Sequence, residues 1–271
     1  RIEVVDMGLR GFTRKIGILK DYNANFQCGQ CHNAANRYLT YKWLKDDKPV
    51  RPEDLQKAGV SPYATEFFKD PLESWAWFKA KGWHQGVNGT TGVHYVNGSD
   101  HPHVEIMLQS KHGQAGVTCT DCHFARKADG KAEHQPSLVK LKVENTCMRS
   151  ACHGPGSKSN WTDPGQALYT IEAIQQEYRI RVQKMEMAAK DAQRIFMKLK
   201  AGEASLPQEV KEKLETAYEK YLSARDWYLT DLSSGFHDPE GFNRTVSVVT
   251  WELRKTNAAA QGALKKTPVK Q

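Results

Sequence analysis

The sequence contains no run of 18 or more consecutive apolar residues, which excludes a membrane-spanning helix of the usual kind. No signal peptide is legible, and residue 1 is Arg rather than Met, so the chain reads as a processed product, a fragment or one piece of something longer. A glycine-rich run lies between His84 and His94 but lacks the Lys-Ser/Thr of a phosphate-cradling loop, so it reads as a plain loop. The formal net charge of +8 is spread along 271 residues rather than clustered. That argues for a generic positive surface and against a nucleic-acid partner. Hydrophobic residues at 39% and charged residues at 26% are an ordinary globular balance, and the length allows one large domain or two small ones.

Cysteine is scarce, six residues in all, but its placement is informative. The cysteines form three pairs, Cys28/Cys31, Cys119/Cys122 and Cys147/Cys152, and His32, His123 and His153 follow the pairs directly. With 10 histidines in 271 residues, chance produces that triple on the order of 5 times in 100,000, which disfavours a plain disulfide framework. A zinc site explains pairs of cysteines but not the repeated Cys-His order. Cys-x-x-Cys-His attaches a c-type haem: two thiols add to the vinyl groups, and the adjacent His binds the iron. The third motif has four intervening residues, Met148 to Ala151, which requires a local bulge and leaves the chemistry unchanged. Three covalent haems c are therefore expected, and their propionates, about six negative charges, offset most of the positive excess.

The elements around the motifs are mainly helical. Residues 1–27 carry few signals and read as a surface lead-in. Asn33 to Tyr38 reads as a helical continuation of the first motif. Pro71 to Trp83 reads as a helix, with its tryptophans packed in the core or against haem rather than catalytic. Asp100-His101-Pro102 opens another, with Val104, Met107 and Leu108 inward and an end near Gly113. His112, at that end, is a candidate distal ligand for a neighbouring haem. His84 and His94 have no assigned role.

After His153 the pattern changes. Asp163-Pro164 starts a helix, and Ile171, Ile174, Tyr178, Val182, Met185, Ala189, Ala192, Phe196 and Leu199 form one apolar stripe. Val210, Leu214, Ala217, Tyr221, Ala224 and Tyr228 form a second, so the two helices are expected to make an antiparallel hairpin. A third helix after Pro239 turns Phe242, Val246, Val249 and Leu253 inward, and the tail from Ala258 is expected to fray. The fold expected is mainly α with little sheet. A haem-packed part, residues 1–160, carries three c-type haems. Residues 161–271 form long antiparallel helices that supply a distal ligand and a subunit interface.

This pattern resembles the C-terminal half of the pentahaem cytochrome c nitrite reductases and, more broadly, their superfamily with the octahaem hydroxylamine oxidoreductases. The resemblance rests on Cys28 to His32, His101-Pro102, Lys111-His112-Gly113 before Cys119 to His123, His134 before Glu144-Asn145-Thr146-Cys147, the long helices, and Gly235-Phe236-His237-Asp238-Pro239. It implies that His123 is proximal and His237 distal on the second haem, and that His153 is proximal and His112 distal on the third. It implies that His134 is the distal ligand of a haem attached upstream, and that His101 is the active-site histidine over a catalytic haem this chain does not attach. Asp100-His101 is similar to the Asp-His pair of the hydroxylamine oxidoreductase branch, which makes both residues catalytic candidates. Ala34-Ala35 stands where nitrite reductases carry the Glu-Tyr of a calcium site, so that calcium site is not expected.

The function expected is electron transfer within a nitrite- or hydroxylamine-converting enzyme. Its catalytic haem would lie in an upstream segment or a partner chain. A non-catalytic electron carrier or filament-type structural cytochrome is the alternative. Expected partners are another haem-bearing chain or the missing N-terminal half, a redox-partner cytochrome or quinol oxidase, and a second copy bound through the long helices. A periplasmic or extracellular location follows from the resemblance.

Overall fold

The computed structural model describes residues 2–9, 12–19, 23–29, 32, 43–46, 48–57, 68–96, 101–124, 131 and 136–266. The chain opens with an antiparallel hairpin of β1 (Ile2–Leu9) and β2 (Phe12–Leu19), paired from Ile2↔Leu19 to Leu9↔Phe12. This corrects the reading of the first 27 residues as an irregular lead-in. Their β-branched residues alternate over only a few positions and are interrupted by glycines, which masks the period of two. A short helix, α1 (Asn25–Gly29), carries the first cysteine. The small strands β3 (Leu44–Lys45) and β4 (Lys48–Pro49) and the helix α2 (Pro52–Lys57) follow.

Helix α3 (Pro71–Ala80) starts where the Asp70 side chain accepts hydrogen bonds from the amides of Leu72 and Glu73 at 2.8 and 2.9 Å, with Pro71 in the first turn. It ends before Trp83, which enters β5 (Trp83–His84) and pairs with β3. The indole of Trp43 stacks on Phe78 at 3.9 Å, and Phe68 and Trp83 are buried with them, whereas Trp75 and Trp77 are only partly buried against this core. The glycine-rich run is mostly loop, closed at its base by β6 (Gly86–Val87) and β7 (His94–Tyr95).

The single helix expected from Pro102 to Gly113 is two: α4 (His103–Gln109) and α5 (Lys111–Gln114). Ser110 breaks it, with an extended ψ of 160°, and its Oγ accepts from the Gly113 amide at 3.0 Å while donating to the Met107 carbonyl at 2.7 Å. A Cβ at Gly113 would overlap that same Met107 carbonyl, so the bend requires glycine there. Leu108 is only partly buried, whereas Glu105 and Ile106 are buried. Helix α6 (Cys119–His123) and a 3₁₀ segment (Pro136–Lys142) complete this part.

Three long helices follow. Helix α7 (Pro164–Lys200) begins with a capping box between Asp163 and Gln166. Its 37 residues span about 55 Å at a rise of 1.5 Å per residue. Helix α8 (Gln208–Leu229) and helix α9 (Pro239–Lys266) complete the set. Helix α9 lies along both α7 and α8, which meet each other over a shorter length. The expected two-helix hairpin is thus a three-helix unit with α9 shared. Phe242, Val246, Val249 and Leu253 are fully buried along that shared face. The tail does not fray at Ala258: Ala260 is fully buried, and the buried Asn257 donates to the Ala188 carbonyl at 2.8 Å. The two parts of the chain are pinned at Glu219, whose buried carboxylate accepts from Lys79 Nζ at 2.7 Å and from the Trp75 indole at 3.3 Å.

Burial pushes the Asp226 carboxyl in α8 up to about 6 from 3.8. The folded chain therefore holds a proton that the unfolded chain has released, and stability falls as pH rises between about 4 and 6. Asp226→Asn removes that loss. It is expected to stabilise the protein by about 1–3 kcal/mol at pH 7 and to be neutral at pH 4. Denaturant titrations at the two pH values check this.

Candidate cofactor site

The first motif begins on α1, where the His32 amide donates to the Cys28 carbonyl at 2.9 Å. Buried Asn25, three residues before Cys28, accepts from the Cys119 amide at 2.7 Å, which joins the first motif to the second. The second motif is α6 itself. Its internal Asp121 accepts from the Thr118 amide at 2.8 Å and from Arg149 at 3.3 Å, and Arg149 belongs to the third motif. Burial opposes the Asp121 charge, but these bonds outweigh it and hold the carboxyl below its usual range. The longer third motif folds into turns: Cys152 donates to the Arg149 carbonyl at 2.8 Å, and His153 donates to the Cys147 carbonyl at 3.0 Å. The extra residues form a turn that presents Arg149 to Asp121.

None of the five described cysteines, Cys28, Cys119, Cys122, Cys147 and Cys152, forms a disulfide. Burial, then repulsion from and a hydrogen bond with Cys28, pushes the Cys119 thiol up to about 12. Burial, then Cys147, pushes Cys122 up to about 11. Among the described residues the one cluster able to hold an ion is His32, His101 and His103, and it contains no cysteine.

The histidines meet in pairs across long sequence separations. His123, at the end of α6, lies 6.1 Å from His237 between ring centres. His112 on α5 lies 5.9 Å from His153. Two imidazoles bound to opposite faces of one metal, each nitrogen about 2 Å from it, have ring centres roughly 6 Å apart. Both pairs fit that spacing. Two of these rings, and His32 besides, are also held by Nδ1, which leaves Nε2 for a metal. His237 Nδ1 lies 2.9 Å from Asp231 Oδ1, His153 Nδ1 lies 2.9 Å from Ser159 Oγ, and His32 Nδ1 lies 3.4 Å from His103 Nδ1. His153 stacks on Trp161 at 4.6 Å.

Asp231 has no exposed side-chain surface. Burial alone would raise its pKa, but the bonds from His237 and from the amide and hydroxyl of Ser233 prevail and lower it. His103 is kept neutral, with its pKa lowered to about 4 by burial first and by His237 next. His101 is partly buried, and its Nδ1 has no hydrogen-bond partner. His84 and His94 stack on each other at 4.5 Å.

Cys31, Asp100 and His134 lie outside the described residues, as do Asn33 to Tyr38 with Ala34 and Ala35. The sequence reading missed His103, Asp231, Asn25 and Arg149 as site residues. Only His103 carried a local signal, its place in His101-Pro102-His103.

Cysteine pairs followed by histidine, thiols free of disulfides and imidazole pairs at metal spacing on a mainly helical frame define a multihaem c-type cytochrome. The chain belongs to the Cytochrome c552 family, whose model matches residues 20–271, and membership brings covalently bound haem c. It is 28% identical over 138 residues to a cytochrome c-552 of Bacteroides thetaiotaomicron, covering 46% of this chain and 22% of that protein. It is 23% identical over 223 residues to the cytochrome c nitrite reductase subunit NrfA of Nitratidesulfovibrio vulgaris, covering 78% and 40%. Its fold matches the catalytic subunit of the cytochrome c nitrite reductase of Desulfovibrio desulfuricans with a TM-score of 0.61 at 18% identity. That match covers 89% of this chain and 49% of the other, which is described with two calcium sites. The chain thus spans less than half the length of each of these relatives. No helix among the described residues is long and apolar enough to cross a membrane.

Gly235, two residues before His237, has φ +80°, and a Cβ there would lie 2.7 Å from Tyr178 Cδ2. Gly235→Ala is therefore expected to destabilise the fold by about 1–3 kcal/mol. A lowered urea midpoint with an unchanged slope is the result expected in equilibrium unfolding.

Proposed function

We propose that this chain is the electron-transfer half of an enzyme like the nitrite reductases and hydroxylamine oxidoreductases, carrying three haems c. The observation that carries the reading is the pair of imidazole couples, His123/His237 and His112/His153, at 6.1 and 5.9 Å. Cys28/Cys31, Cys119/Cys122 and Cys147/Cys152 would attach the haems, with His32, His123 and His153 as proximal ligands. His237 and His112 would be distal ligands to the second and third. The haems supply reversible one-electron transfer. The protein's part would be to hold His32, His153 and His237 through Nδ1, to offer His123 with His237 and His112 with His153 to two irons, and to tie the motifs together through Asn25 and Arg149. The bonds from the Cys119 amide to Asn25 and from Arg149 to Asp121 support a continuous path through the three attachments.

His101 would be the catalytic residue, and Asp100, before it in sequence, would orient it. A partly buried imidazole with an unpaired Nδ1 is suited to hold a proton or hydrogen bond for a nitrogen-oxide ligand on a haem borne by an upstream segment or a partner chain. His134 would serve as distal ligand to a haem of that same segment. A redox-partner cytochrome or quinol oxidase would exchange electrons with the chain, on the periplasmic or outer side of the membrane.

A second copy would bind through the long helices. Tyr169, Ile180 and Met187 lie on one stripe of α7 and are exposed, and Val248 and Trp251 are exposed on the adjoining α9. Arg181 donates to Ser247 at 2.9 Å, which brings the two stripes together.

The haem-loaded chain is expected to show three covalent haems by intact mass and no turnover of nitrite or hydroxylamine by itself. Turnover by the isolated chain would sink the electron-transfer reading. His237→Ala is expected to convert one haem from six-coordinate low-spin to high-spin, and His112→Ala a different one. Retention of the full low-spin spectrum in both variants would overturn the ligand assignment.

A further inference from the structure

His103 belongs to none of the ligand positions above, yet its ring touches the ligands of two different haems. It lies 5.1 Å from His32 and 5.7 Å from His237 between ring centres, edge-on to both at 75° and 84°. Its Nδ1 is 3.4 Å from His32 Nδ1, at the long end of hydrogen-bond range. The next residue acts on the same target, since the Val104 amide donates to the His32 carbonyl at 3.1 Å. The first turn of α4 thus grips His32 at both ring and backbone. Pro102, before that turn, is buried, and Val104, one residue on, is fully buried, so the turn itself is anchored.

We propose that His103 is a positioning residue for the axial ligand of the first haem, accepting the His32 Nδ1 proton and forming a ring-to-ring bridge toward His237. This deepens the assignment of His32 as proximal ligand and rests on it. The tautomers follow from that assignment. A neutral imidazole has one N–H; with Nε2 given to the iron, His32 carries its proton at Nδ1. His103 must then accept at Nδ1 and carry its own proton at Nε2. A ligand imidazole whose N–H is held by an acceptor is a stronger donor to the metal, which favours the oxidised iron. Asp231 plays the corresponding part for His237 with a carboxylate, and Ser159 for His153 with a hydroxyl. The three candidate sites are thereby given three different acceptors, which grades their potentials along one chain.

The test is a spectroelectrochemical titration of the haem-loaded protein. His103→Leu removes the acceptor at similar volume. It is expected to shift one wave toward the reduced form by about tenfold in the redox equilibrium, ~59 mV for a one-electron couple. His103→Asn keeps an acceptor oxygen near the place of Nδ1 and is expected to restore the wild-type wave. Waves that coincide in wild type and His103→Leu, with three haems still attached, would overturn this role for His103 and leave the haem reading intact. Loss of covalent haem at Cys28 and Cys31 in the wild-type protein itself, read by peptide mass, would instead overturn the assignment of His32. An independent measurement needs no variant. The His32 Nδ1 proton, hyperfine-shifted in the oxidised protein, is expected to persist after transfer to D2O because it is bonded, although the side chain is exposed. Immediate exchange of that resonance would also overturn the role of His103.

Discussion

The bond between the buried Asp231 carboxylate and His237 is the contact on which the placement of that imidazole depends. It forms in the short connection between α8 and α9, where the chain must turn and still present an imidazole to α6. A carboxylate with no solvent exposure is costly unless its oxygens are occupied. Ser233 supplies its amide and hydroxyl, and His237 supplies the remaining donor. The ring is thus held through Nδ1 by a carboxylate whose remaining bonds come from Ser233, and its centre lies 6.1 Å from that of His123 at the end of the second motif.

The same logic recurs at smaller scale. Asn25 is buried beside the first motif and satisfied by an amide of the second, and Asp121 within the second is satisfied by Arg149 of the third. Each motif is therefore positioned by a polar group borrowed from its neighbour. A hydrogen bond confines its two groups to a narrow range of distance and angle. That is the property a row of cofactors needs, because electron transfer depends on spacing. Helix α9 performs the corresponding task with apolar surface: it fills the groove along α7 and α8 and so fixes the height at which the turn before it meets the haem-binding part.

Much of the helical frame was legible in advance because its causes are local. The apolar stripes on α7, α8 and α9 follow from side-chain period, and the start of α7 follows from Asp163 and Pro164. Where the reading failed, the cause was nonlocal or too short to register. The break at Ser110 depends on Gly113 packing against the Met107 carbonyl. The terminal turns of α9 persist because Asn257 reaches α7. The opening hairpin holds together by cross-strand pairing that glycines hide from a periodicity search. The sharing of α9 by two partners could not be seen from stripes that say only which face is apolar.

The sequence by itself determined the attachment chemistry, since two thiols and an imidazole within a few residues act together whatever the fold around them. It also determined family membership and the positions of the long helices. The resemblance had already implied that His123 meets His237 and His112 meets His153; tertiary structure supplied their spacings of 6.1 and 5.9 Å, because the two rings of each pair come from different elements brought together by packing. It decided too what holds three of the rings: Asp231 and Ser159 carry no motif and His103 only its place in His101-Pro102-His103, and each lies beside an Nδ1 because the folded chain places it there.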